Sequence, residues 1–315
     1  MGPVVVQAIG SSPASIVFAA ALTFASAQPA SEEQLWTSPP DLAALDVRSG
    51  PGGLELAPID GATFAFLEKD TKGTSPKWKV RAADGLPWNV KQGIEAQAEV
   101  AVSRLLWILG YHQPATYYVA SWTLVGGPTP GAQPGGRFRP ELPGVKRVGR
   151  WSWKDNPFVG TASFRRLKVA MRLVNNWDLL DENTAIYSVE GRSRPPERRY
   201  VVTDLGASLG KGAWVPGRST KNDVEDFERQ AFIGGIDGDG FVKFEDVGRR
   251  RRDLFKDIRV EDVRWVCERL DRLTDEQWRD VFRAAGYDEP TGSRFIAALR
   301  RRIREGLQLA STTHP

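Results

Sequence analysis

The chain has 315 residues, 41% hydrophobic and 26% charged, with a formal net charge of +4 at pH 7; that is enough length for one large domain or two ordinary ones, and the composition of a globular protein, neither disordered nor membrane-embedded. One cysteine, Cys267, and two histidines, His112 and His314, exclude an internal disulfide and a Cys/His zinc site. A histidine-based triad would have to use His112, so carboxylates, amides and lysines are the expected chemistry of an active site, and a charge of +4 is too mild to argue for a nucleic-acid partner.

Residues 15–27, SIVFAAALTFASA, form an apolar run that closes on Ala25-Ser26-Ala27. This predicts an exported protein, periplasmic, cell-surface or secreted, with a signal peptide over 1–27 cleaved near Ala27. The run is short of the ~20 residues that a stable membrane span needs. Residues 28–60, rich in Pro, Ser, Gly and Asp, read as a linker with little structure of its own. From Gly61 the segments ATFAFLEKD, SPKWKVRAADG and LPWNVKQG alternate and are bounded by Gly, Pro or Asp, which predicts strands joined by turns. Residues 94–109 carry apolar side chains at helical spacing and stop at Gly110; residues 116–125 read as another strand. The Gly- and Pro-dense stretch 126–158 reads as a long irregular loop. A helix over 161–175, strands near 184–189 and 199–203, and helices from 222 onward complete the pattern. Among those helices, Thr274–Gln277 forms a capping box, and 295–306 is amphipathic, with Arg300, Arg301, Arg302 and Arg304 on its polar side. Strands with one helix first and helices afterwards predict an α+β protein of two lobes, β-rich over 61–125 and a loop plus helices over 126–310, with a tail at 311–315.

The stretch that carries chemistry is Asn176-Trp-Asp178-Leu-Leu-Asp-Glu-Asn183, followed by Asp204-Leu-Gly206. An Asp with an Asn five positions later on a tight loop can divide the labour of phosphoryl transfer, the carboxylate orienting an attacking hydroxyl and the amide oxygen reaching a divalent metal. A second carboxylate at a strand end, Asp204, would hold that metal against nucleotide phosphates, and Gly206 would let the chain turn sharply. Upstream, Lys91 ends a predicted strand and the helix after it offers Glu95 and Glu99, a phosphate clamp with a carboxylate behind it. Lys77 and Lys79 are competing lysines one strand earlier, with no helix directly after them.

Residues 61–210 resemble the protein-kinase-like superfamily, and its atypical bacterial branch in particular. CotH-type and HipA-type kinases are similar in having an N-x-D…N loop, which Asn176, Asp178 and Asn183 match. The resemblance implies a two-lobed kinase-like fold and an exported phosphotransferase using ATP with Mg²⁺ or Mn²⁺. It implies Asp178 as catalytic base, Asn183 and Asp204 as metal ligands, and Lys91 with Glu99 as the ion pair. Glu99 is favoured over Glu95 because Glu99-x4-Arg104-Leu105…Leu109-Gly110 resembles the HipA-type helix. The nucleotide site would include Lys91, Gly206 and Gly73, the only glycine in the turn where a phosphate-covering loop belongs. Two features of the family are missing: a G-x-G-x-x-G loop and an A-P-E motif after Asp-Leu-Gly.

The acceptor, a protein or a small molecule, is not written in the sequence. A non-catalytic pseudokinase or interaction domain is the alternative use of the same residues. Asp237-Gly-Asp239-Gly240 resembles half of a calcium loop over 235–246, but its first ligand position falls on Gly235 and its twelfth on Asp246, so Ca²⁺ at Asp237 and Asp239 is the weaker expectation beside a plain glycine turn. A calcium-stabilised surface protein is the function that loop would imply.

Overall fold

A computed structural model describes residues 1–2, 30–39, 41–70, 75–191, 196–212, 217, 219–245 and 251–310. The expected signal peptide and cleavage site, Gly73 and Asp246 lie outside them. The chain is a mixed α+β structure. Five strands close into a barrel: β1 (Thr63–Asp70), β2 (Lys77–Arg81), β3 (Pro87–Gln92), β4 (Tyr117–Val125) and β5 (Gly131–Pro140), in the order β1-β2-β3-β5-β4. Its closure is a short parallel pairing of β1 with β4; the other pairings are antiparallel. Alternation sorts the side chains. Val80, Trp88, Val90, Trp122 and Phe138 fill the interior, with the Trp122 and Phe138 rings edge to face at 5.4 Å. Lys91 and Arg137, directly opposite each other on β3 and β5, take the other face.

The stretch 126–158 is therefore not one loop. It supplies β5 and then β6 (Val145–Gly149). Its glycines misled because they sit where neighbours crowd the strand: a Cβ on Gly135 would lie 2.2 Å from the Tyr118 hydroxyl, and one on Gly136 3.1 Å from the Lys91 carbonyl. The Pro134 carbonyl is used as well, accepting from Trp122 Nε1 at 3.0 Å and Gln92 Nε2 at 3.2 Å.

Helix α1 (Glu95–Ile108) follows β3 and is buried on nearly every side. Part of its cover comes from residues 30–39 and 41–60, which pack against the core instead of forming a loose linker. Leu35, Leu42 and Val47 are buried, Trp36 Nε1 donates to the Leu109 carbonyl at 2.8 Å, and the buried Arg104 guanidinium donates to the Ser49 carbonyl at 3.2 Å. The few apolar residues in this segment are widely spaced, so no periodicity announces them.

The remainder is α2 (Ala162–Leu173), β7 (Thr184–Val189), β8 (Glu197–Val202), α3 (Val224–Arg229), the hairpin β9 (Ile233–Ile236)–β10 (Val242–Phe244), α4 (Val260–Asp271), α5 (Asp275–Arg283) and α6 (Glu289–Leu307). Strands β6, β7 and β8 form an antiparallel sheet, and α1, α2, α4 and α6 share one apolar core. Arg302 departs from its expected place on the polar side of α6. It is fully buried, donates to the carbonyls of Leu173 (3.0 Å), Phe227 (3.3 Å) and Gln230 (3.1 Å), and lies over the Phe227 ring. Among the described residues no helix is long and apolar enough to cross a membrane.

Candidate active site

The end of β3 and the first two turns of α1 place one lysine against two glutamates. Glu95 and Glu99 are four residues apart, so they share a helix face, and that face is turned to β3. Lys91 Nζ lies 2.5 Å from Glu95 Oε2, 3.2 Å from Glu99 Oε2 and 3.0 Å from Asp204 Oδ1, with its side chain only 2% exposed. Burial alone would lower its pKa, but Glu99, Asp204 and Glu95 outweigh that and hold it above the ordinary lysine value. Both glutamates, not Glu99 alone, therefore serve the lysine. Of the competing lysines, Lys79 pairs with Glu141 on the outside of the barrel at 2.8 Å.

Two residues in this network were not foreseen. The second oxygen of Glu99 faces Arg137 Nε at 3.1 Å and Arg139 Nη2 at 3.0 Å, both from β5. Arg139 also donates to the Thr203 carbonyl at 3.3 Å, which ties β5 to the residue before Asp204. The signal was present in Arg137-Phe138-Arg139: alternation with the buried Phe138 puts both arginines on one face.

Asp178 and Asn183 occupy the turn between α2 and β7. Asn183 Nδ2 donates to the Asp178 carbonyl at 2.8 Å and to Asp178 Oδ2 at 3.1 Å. Asn176 is a scaffold here: its Oδ1 accepts from the Asp178 amide at 3.1 Å and its Nδ2 donates to Ser208 Oγ at 3.0 Å. Because Thr184 pairs with Val202, Asn183 and Thr203 meet at the open end of the β7–β8 hairpin, where the Thr203 amide donates to the Asn183 carbonyl at 2.9 Å. Asp204 comes next in the chain. Burial works against its charge, but Lys91 and the Gly206 amide prevail and lower its pKa.

Gly206 serves close approach rather than a sharp turn. Its φ is outside the left-handed region, and a Cβ there would lie 2.6 Å from Glu95 Cβ. The chain beyond it returns along the 174–178 segment through backbone bonds from Leu209 to Val174 (2.9 Å) and Trp177 to Ala207 (3.3 Å).

The donors fit a hard divalent cation. Asn183 is oriented by its two amide donations, which leave Oδ1 without a partner among the described residues, and Asp204 has Oδ1 engaged and Oδ2 likewise unpartnered there. No group of three or more His, Cys, Asp or Glu side chains suited to a metal occurs among the described residues. The Asp237 carboxylate is used in the β9–β10 turn, accepting from the amides of Asp239 (3.1 Å) and Phe241 (2.9 Å), as a plain turn requires. A cavity of about 410 Å³ lies at the mouth of the barrel lined by Phe64, Leu86 and Trp88, away from Lys91.

No family model matches this chain, and no curated protein matches it. Solved kinase structures are similar to it. The proinflammatory kinase CtkA of Helicobacter pylori is 12% identical with a TM-score of 0.45, over 79% of this chain and 97% of that one. The Golgi casein kinase with Mn/ADP bound is 11% identical with a TM-score of 0.43, over 80% of this chain and 73% of that one. A second structure of the Golgi casein kinase is 11% identical with a TM-score of 0.42 over the same shares.

Proposed function

We propose that this protein is an ATP-dependent, kinase-like phosphotransferase, with the barrel and α1 as one lobe, the α2–α6 region as the other, and the site in the cleft between them. One observation carries the reading: Lys91 Nζ touches Glu99 of α1 and Asp204 beyond β8 at once. Phosphoryl transfer asks mainly for positioning and for neutralised charge. Lys91, held by Glu95 and Glu99, would bind the nucleotide phosphates. Asn183 and Asp204 would hold Mg²⁺ or Mn²⁺, which supplies charge neutralisation on those phosphates. Asp178 would take the proton of the acceptor hydroxyl as its oxygen bonds to the terminal phosphorus and the bond to the bridging oxygen breaks, leaving ADP. The apolar run at 15–27 supports export of the chain.

The test uses protein beginning near Gln28. Titration with ATP and Mg²⁺ or Mn²⁺ should raise the unfolding midpoint, since a ligand specific for the folded state stabilises it. Transfer of label from γ-labelled ATP, and not from α-labelled ATP, to the protein or a generic acceptor identifies phosphoryl rather than nucleotidyl transfer. Nucleotide binding without any transfer favours the pseudokinase. Indifference to nucleotide overturns the reading.

A further inference from the structure

Lys221 has no part in the chemistry above, yet its ammonium stands between the two halves of the site. Its Nζ is ion-paired with Glu95 Oε1, the oxygen of Glu95 that Lys91 leaves free. It also lies 5.6 Å from the ring centroid of Trp177, the neighbour of Asp178. One carboxylate thus carries two ammonium groups, but not equally. Lys91 has Glu99 and Asp204 besides, and its side chain is 2% exposed; that of Lys221 is 30% exposed and has solvent to move into.

Between Asn176 and Asn183 there is no lysine or arginine. The turn that would hold the acceptor therefore brings no cation of its own to the phosphoryl group, whose charge must be met during transfer. Lys221 is also unnecessary as a clasp for its own segment. That segment is fixed by backbone bonds from Thr220 to Lys211 (2.9 Å), Asn222 to Ser208 (2.9 Å) and Asp223 to Leu209 (2.7 Å).

We propose that Lys221 is a second phosphate-binding residue, which leaves Glu95 when nucleotide enters and binds the terminal phosphate, while Lys91 keeps its place on the inner phosphates. This rests on the kinase-like reading of the site. Lys221 supplies charge and exchanges no proton in the step. Glu95 then retains Lys91, so no buried carboxylate is left unpaired.

Affinities of wild-type protein, K221M and K221R for ADP and for a non-hydrolysable ATP analogue, with Mg²⁺, test this. The wild type should prefer the analogue by about tenfold, the worth of one charge-assisted contact. K221M should lose that preference while binding ADP within about threefold of wild type, and K221R should recover most of it. Unfolding midpoints of the variants serve as the control for folding, and K221Q, which also lacks the ammonium and should lose the preference, carries the comparison if K221M unfolds. If K221M keeps the preference, or the wild type has none while still binding nucleotide, the role of Lys221 is overturned and the kinase-like reading stands. If the wild type binds neither nucleotide, the kinase-like reading fails, and Lys221 with it.

Discussion

On the barrel side of the site, Lys91, Glu95, Glu99, Arg137 and Arg139 form a buried ion network, with the Lys91 and Glu99 side chains 2% and 1% exposed. On the side of the β7–β8 hairpin, Asp178 and Asn183 are half-buried and held by short-range hydrogen bonds, and the Asp204 side chain is 39% exposed. The difference has a physical cause. Charges removed from water must be matched by partners in fixed geometry, so the barrel side is rigid and intolerant of losing any member. The hairpin side keeps oxygen atoms unengaged among the described residues, which suits the metal and acceptor roles proposed for it. Losses on the first side should therefore cost far more stability than losses on the second, where the proposed chemistry can be removed with the fold kept.

The largest expected effect on stability is that of Glu99→Ala. It removes a carboxylate shared by Lys91, Arg137 and Arg139, leaving buried cations short of a partner, and should cost about 3–5 kcal/mol. Chemical denaturation of wild type and variant reads this directly. A loss under about 1 kcal/mol would mean that the network is no more rigid than a surface pair.

Asp204→Asn should cost far less, about 1 kcal/mol or below, because its carboxylate is partly in water and Lys91 retains both glutamates. It should nevertheless abolish Mg²⁺-dependent nucleotide binding, measured by calorimetry. Retained binding with lost stability would reverse the contrast between the two sides.

The acid limb of the stability curve gives a smaller, graded effect. Glu95 and Asp204 have pKa values lowered from the ordinary 4.5 and 3.8. Their contribution is complete above those ordinary values and disappears as the pH falls through the lower folded ones. Unfolding free energy should thus decline as the pH drops below about 4.5, and Glu95→Gln should flatten that decline. An unchanged acid limb in the variant would show that Glu95 contributes no pH-dependent stability.

How much of this could be read from the sequence follows the same division. The strand carrying Lys91 and the helix carrying Glu95 and Glu99 follow from periodicity and local spacing, because each depends on neighbours in the chain, whereas Asp178, Asn183 and Asp204 are singled out by resemblance to kinase motifs. Arg137 and Arg139 are harder to read: their alternation about Phe138 is a strand signal, but the glycines and proline before them read as a loop, and the strand is made by pairing with β3 and β4, distant in sequence. Lys221 was hidden for a related reason. Its meeting with Glu95 joins residues 126 positions apart, and nothing in a window of sequence reports such a contact.

The smallest effect on stability should come from Asp178→Ala, and it separates structure from chemistry most cleanly. The substitution removes the bond from Asn183 Nδ2 to Asp178 Oδ2, but that amide still donates to the Asp178 carbonyl at 2.8 Å. The Asp178 amide keeps its acceptor, Asn176 Oδ1. No buried donor is orphaned, so the cost should stay under ~1 kcal/mol. Nucleotide affinity should also be nearly unchanged, since a base acting on the acceptor hydroxyl does not touch ATP, while label transfer should disappear. Denaturation, calorimetry and transfer measured on one preparation decide the matter: transfer that survives Asp178→Ala would remove this residue from the base role, and a fall in nucleotide affinity would place it among the groups that hold ATP.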